Sequence, residues 1–198
     1  MKDFWNERFG QEDFIYGKSP NAFFAEHLSK LGKGKVLLPA EGEGRNAVYA
    51  AKKGWKVVAF DFSEEGKSKA IKLAKENNVR IEYHLLNASD FRSNDPYDVI
   101  ALIFAHFAGE ERKVLFKKLE NALAPGGHLL IEVFSKNQLG KSSGGPKDFG
   151  LLYSADEIKS LFPNIRFSLL SEYTVQLKEG RYHLGEASVI RALGTKNG

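Results

Sequence analysis

The sequence predicts an α/β protein: a doubly wound, mostly parallel seven-stranded sheet that ends in an antiparallel hairpin. Three observations carry this. Continuous apolar runs alternate with amphipathic stretches from residue 35 to 134. A glycine turn follows the first of those runs, where a strand would hand over to a helix. The last two apolar runs lie too close together for a helical crossover, so they must pair antiparallel.

The elements follow in order. "PNAFFAEHLSKL" (20–31) sets Phe23, Phe24, Leu28 and Leu31 on one helical stripe. "KVLLPA" (35–40) is an unbroken apolar run, the mark of a strand buried on both faces. "GRNAVYAAKKG" (44–54) reads as a helix closed by Gly54, and "WKVVAFDFS" (55–63) as a second buried strand. Ser63 is placed to cap a helix over 63–78. Strands are expected at 80–86 and 97–104, a helix at 110–123 ending in "APGG", and a fifth strand at 128–134. The stretch "SKNQLGKSSGGPKDFG" (135–150) reads as a mobile loop. A short helix (154–162) precedes two strands, 165–177 and 187–195, joined by the turn 178–186.

Composition narrows the function classes. A chain of 198 residues, 42% hydrophobic, suits one domain, here 1–198. Within it we expect an N-terminal helical lid (1–31), a cofactor-binding half (35–134) and a substrate-side part (135–198). The net charge of +4 is spread without a basic run, so no nucleic-acid partner is expected. Without cysteine there is no disulfide frame, cysteine zinc site or thiol nucleophile, and no metal is expected. The charged start "MKDFWNERFG" lacks the apolar core of a signal peptide, and "VIALIFAHFA" (99–108) is too short to span a bilayer. A cytoplasmic protein with no membrane partner is the expectation.

The glycine turn carries the chemistry. Gly42-Glu43-Gly44-Arg45-Asn46-Ala47 fits the G-x-G-x-x-G/A pattern after a strand. Such a turn sits at the carboxyl edge of an open sheet, where ligands bind. Asp61 ends the second strand 19 residues after Gly42, the spacing of an acid that binds ribose hydroxyls. An adenosine-containing cofactor follows. A dinucleotide would set its pyrophosphate on the helix amides, where Glu41 and Glu43 oppose it. S-adenosylmethionine carries a sulfonium and an ammonium group instead, which neighbouring acids favour.

Together these segments resemble the class I S-adenosylmethionine-dependent methyltransferases, of the tellurite-resistance and thiopurine-type small-molecule branch. "VLLPAEGEGRNA" is similar to the first motif, "VVAFDFS" to the second, "NASDF" to the third, "YDVIALIF" to the fourth and "LAPGGHLLIEVF" to the strand after it. The resemblance implies a Rossmann-like sheet and an S-adenosylmethionine site. It implies that Asp61 binds the ribose, Phe62 lies on adenine, Asn87 accepts from the adenine amine and Ala88 offers its backbone N–H. Ala40, Gly42, Gly44 and Asn46 would bind the cofactor, Phe104 and Ala105 would border its methionine portion, and Tyr16, within "YGKSPNAFF", would cover it. The family's leading acid is replaced by Leu38, and Glu41 is the expected substitute near the methionine amine.

A small-molecule acceptor is favoured. "NDPYD" (94–98) looks like an amino-methyltransferase motif but precedes its strand, so it reads as a turn at the far end of the sheet. His106 after the fourth strand, with Arg181 and His183 from the hairpin turn, are the expected catalytic or substrate-facing residues. An NAD-dependent oxidoreductase and a catalytically silent cofactor-binding module are the alternatives.

Overall fold

The computed structural model describes residues 2–93 and 95–198; Asn94, part of the turn read at 94–98, lies outside them. Seven strands form one sheet in the order β3-β2-β1-β4-β5-β7-β6. They are β1 (Lys35–Pro39), β2 (Lys56–Asp61), β3 (Glu82–Leu85), β4 (Tyr97–Ile103), β5 (Leu123–Phe134), β6 (Ile165–Lys178) and β7 (Leu184–Lys196). All pairings from β3 to β5 are parallel, while β7 inserts antiparallel between β5 and β6. This is the Rossmann-like sheet with its closing hairpin.

Alternation along each central strand divides the core in two. Leu37, Ile100, Leu102, Leu129 and Ile131 meet Leu115, Phe116 and Leu119 of α5 (Gly109–Ala122) and Ile158 of α6 (Ala155–Leu161). Val36, Leu38, Val99, Ala101 and Leu130 point to the other face. There they pack on Phe24 and Leu28 of α2 (Ala22–Leu28), Ala47 and Ala50 of α3 (Arg45–Lys52) and Ala70 of α4 (Glu64–Glu76). Consecutive residues of a strand face opposite sides, so unbroken apolar runs are what a doubly covered sheet needs. Ser63 caps α4, its Oγ accepting from Gly66 N.

Three boundaries differ from expectation. The "APGG" turn belongs to β5: pairing starts at Tyr97–Leu123 and resumes at Val99–His128, so residues 124–127 bulge out of the ladder. The hairpin strands run longer than their apolar runs, leaving only 179–183 as the turn, because an edge hairpin can expose polar residues and stay paired. The 135–150 segment, expected to be mobile, is pinned instead. Gln138 is buried, donating from Nε2 to Ser143 Oγ and Gly144 O while its Oε1 accepts from Ser188 N. Ahead of the sheet, α1 (Lys2–Phe9) packs on the first turn of α4 through Lys2–Glu64 and a bond from Ser63 Oγ to Asn6 Oδ1.

No helix among the described residues is long and apolar enough to cross a membrane.

Candidate active site

The chain reverses direction across the sheet between β1 and β4, and an open α/β sheet binds its ligands at such a point. Both strands end there on a non-glycine residue in the left-handed region, Ala40 (φ 51°) and Phe104 (φ 51°). That conformation costs about 1 kcal/mol or more and concentrates at functional sites.

The glycine turn is built for close packing. Gly42 and Gly44 have positive φ, 60° and 83°. A Cβ on Gly42 would come within 2.9 Å of the Phe9 ring, and one on Gly44 within 2.5 Å of Ala70 Cβ. These glycines let α1 and α4 approach the turn. The close approach expected for a ligand is thus made on these sides by protein.

The two acids of the turn have separate tasks. Glu41 is buried and its Oε1 accepts from Asn46 N and Ala47 N, both at 2.8 Å. It caps α3, whose own cap residue is Gly44 with no side chain to offer. Burial pushes its carboxyl up to about 7, against the lowering effect of those amides and the Asn46 side chain. The helix amides a pyrophosphate would need are therefore taken by the protein's own carboxylate. Glu43 pairs with Lys69 at 2.9 Å and accepts from Tyr16 N at 3.3 Å, so it anchors the N-terminal segment.

Asp61 lies at the end of β2, buried. Its Oδ2 accepts from Gly42 N (3.1 Å) and its Oδ1 from Ser63 N (2.9 Å), which leaves each oxygen a further lone pair for a ribose hydroxyl. Burial raises its pKa to about 6 despite those bonds. Phe62 beside it is half-buried. Asn87 is exposed and donates from Nδ2 to Asp90 Oδ2 at 3.2 Å, which turns its amide so that Oδ1 remains to accept. Ala88 is buried at the start of a short 3₁₀ turn. A buried carboxylate with lone pairs to spare, an amide oxygen with no partner among the described residues and helix amides taken by Glu41 fit the adenosine half of S-adenosylmethionine.

The other side of the crevice is aromatic. The His183 ring lies 4.4 Å from both Tyr16 and Phe104, and Phe134 packs on Phe104 (4.7 Å), His183 (5.3 Å) and His106 (5.6 Å). Tyr16, Phe104, His106 and His183 thus come together as expected. His106 Nδ1 lies 2.8 Å from the Leu151 carbonyl, an acceptor, so Nδ1 carries the proton and Nε2 the lone pair. That Nε2 is buried with no partner among the described residues. Burial lowers His106 to about 4, Leu151 opposing, and it stays neutral. His183 is likewise lowered by burial, with Nδ1 3.6 Å from Glu179 Oε2.

Arg181 stands apart from this cluster. Its backbone N bonds Ile15 O and its Nη1 reaches Gln11 Oε1 at 3.4 Å, so it is exposed over the N-terminal segment. A residue at a hairpin tip is aimed by the turn's geometry, which spacing does not reveal.

Sequence reasoning missed a buried polar hub beneath the cluster. Asn21 Nδ2 donates to Glu132 Oε1 (2.6 Å) and Glu179 Oε1 (2.9 Å), Asn21 Oδ1 caps α2, and Asn21 N bonds Asn46 Oδ1. Arg45 Nη2 meets Glu179 Oε2 at 2.7 Å and Arg191 pairs with Glu132. Burial alone would raise Glu179, but the adjoining His183 and Arg45 outweigh it and hold it at about 2. Asn21 ahead of "AFFAEHL" is a cap signal, the one trace of this hub in the sequence.

Comparison with known proteins accords with this geometry. Residues 36–127 match the sequence model of a methyltransferase domain. The chain is 26% identical over 170 residues to the ubiquinone biosynthesis O-methyltransferase of Rickettsia akari, covering 80% of this chain and 64% of that one. It is 25% identical over 169 residues to the glycine/sarcosine N-methyltransferase of Halorhodospira halochloris, covering 82% and 62%. The chain thus spans under two thirds of the length of these curated relatives. The crystal structure of TehB from Haemophilus influenzae shares the fold at a TM-score of 0.75, with 18% identity, 99% of this chain and 67% of that one covered.

Proposed function

We infer that this chain, a class I S-adenosylmethionine-dependent methyltransferase, transfers the cofactor's methyl group in line to a small-molecule acceptor held against His106. The bound cofactor supplies an electrophilic methyl group on a sulfonium. The rest is positioning. Asp61 accepts from the ribose and Asn87 Oδ1 from the adenine amine, with Phe62, Ala88 and the Ala40–Asn46 turn around them. Tyr16, Phe104, Phe134 and His183 exclude water, which strengthens every polar contact inside.

The observation that carries the acceptor assignment is His106 Nε2, a buried lone pair with no partner among the described residues. A neutral imidazole of fixed tautomer accepts the N–H, O–H or S–H of a nucleophile and turns the nucleophile's own lone pair toward the methyl group. The relatives named above act through oxygen and nitrogen respectively, which supports a small acceptor and leaves its reacting atom open.

The experiment is methyl transfer from labelled cofactor to a panel of thiols, amines, hydroxylated aromatics, selenite and tellurite. His106→Ala is expected to lose about 10²-fold or more in rate while cofactor affinity holds. His106 titrates near 4, so the wild-type rate is expected to show no histidine inflection between pH 5.5 and 8. Full activity in His106→Ala rejects the histidine role. Cofactor binding with no product from any acceptor points to a silent binding module, and binding of NAD alone to an oxidoreductase.

A further inference from the structure

We propose that Arg8 on the N-terminal helix is the recognition residue for an anionic group, a carboxylate or oxyanion, on the acceptor. This rests on the methyl-transfer reading above and deepens it. The Arg8 guanidinium carbon lies 4.4 Å from the centroid of the Phe4 ring, 4.5 Å from Tyr182 and 5.3 Å from Trp5. Its Nη1 donates to Tyr16 Oη at 3.1 Å. Tyr16 in turn lies against His183, so the guanidinium sits one aromatic side chain away from the histidine cluster.

What Arg8 lacks is an anion. Among the described residues no carboxylate lies within 4.0 Å of it, and of its five N–H donors one is used. The carboxylates buried nearby are committed: Glu43 to Lys69, Glu179 to Arg45, Glu132 to Arg191. Arg181 adds a second guanidinium 5.8 Å from the same Tyr182 ring, and it too has no ion pair among the described residues. Glu12 and Asp13 share the shallow groove beside Arg181 without pairing with it. The Tyr182 ring thus has two guanidinium groups beside it, with no carboxylate paired to either among the described residues.

The surroundings suit recognition. Aromatic neighbours hold the guanidinium plane, and a held plane presents its edge as a fork that matches a planar carboxylate or an oxyanion. They also account for Phe4, a large apolar side chain left 51% exposed on the lid. Arg8 comes from α1 and Tyr182 from the hairpin turn, so the site exists only when both meet over the crevice.

The test titrates benzoate and its neutral isostere benzamide at low ionic strength, by calorimetry and by the ¹⁵N–¹H signal of the Arg8 side chain. Both the free protein and the protein loaded with S-adenosylhomocysteine are used. Benzoate is expected to shift the Arg8 signal and to bind at least tenfold tighter than benzamide. Arg8→Gln is expected to lose that preference, Arg8→Lys to keep part of it, and S-adenosylhomocysteine affinity to stay within threefold in both. No benzoate binding, equal binding of the two probes, or an unchanged preference in Arg8→Gln overturns the proposal and leaves Arg8 as a latch between lid and hairpin. Failure of S-adenosylhomocysteine to bind wild-type protein strikes the cofactor reading instead, since the anion titration on free protein still reports on Arg8.

Discussion

The two sides of the crevice are built on opposite plans. On the β1–β2 side the two buried acids Glu41 and Asp61 accept from backbone amides, Glu41 from those of α3 and Asp61 from Gly42 and Ser63, while Glu43 pairs with Lys69. On the β4–hairpin side two buried ring nitrogens have no hydrogen-bond partner among the described residues: His106 Nε2, and His183 Nδ1, which faces Glu179 Oε2 at 3.6 Å. A buried polar atom without a partner costs about 1–3 kcal/mol. The first side is thus finished within the protein, and in the proposed reading it holds the cofactor. The second is unfinished, and in the proposed reading an acceptor completes it.

Arg45 joins the two sides, and removing it is the strongest way to break the contrast. It sits on α3 and reaches across to Glu179 of the hairpin turn and to the carbonyl of Tyr16. Stripping one partner from a buried pair typically costs about 3–5 kcal/mol, because the other charge stays buried. Arg45→Met is expected to lower stability by that order in urea unfolding. Arg45→Met with Glu179→Leu should recover much of it. A loss under about 1 kcal/mol in the single variant, or no recovery in the double, would show the two sides to be independent.

Glu41 sharpens the comparison through pH. Its pKa is about 7 when folded and near 4.5 when unfolded, so between those values the folded chain holds the extra proton. Stability from this group therefore falls as pH rises from about 4.5 to 7 and is level beyond. Glu41→Gln keeps an oxygen for the two amides and removes the titration. The variant should match wild type near pH 4.5 and gain on it by at most about 3 kcal/mol at pH 8. A constant gap across that range in thermal or urea unfolding would mean that Glu41 is ionised throughout.

This contrast also explains what was legible in the chain. Apolar runs buried on both faces, the glycine turn and the Gly42–Asp61 spacing are local or strand-end features, and they place the sheet and the adenosine side. The hub around Asn21 was hidden because its members come from α2, α3, β5 and the hairpin turn, 25 to 158 residues apart. The task of Glu41 was legible only in part. Its charge argued against a phosphate, but that it does so by occupying the amides of α3 required the turn's geometry. Likewise the placement of Arg181 and Arg8 depends on side-chain aim, which neither composition nor period encodes.

The smallest effects test the finished side on its own terms. In the proposed reading Asp61 gives a charged acceptor to the ribose, and such hydrogen bonds contribute about 1.5–3 kcal/mol. Asp61→Ala is expected to weaken S-adenosylmethionine binding by roughly 10- to 100-fold in calorimetry. In the same reading Asn87 gives a neutral, exposed acceptor to the adenine amine, where about 1 kcal/mol is at stake, so Asn87→Ala should weaken binding about fivefold. The order matters more than either size. If Asn87→Ala costs more than Asp61→Ala, the ribose is not held at Asp61, and the buried carboxylate serves only to join Gly42 to the start of α4.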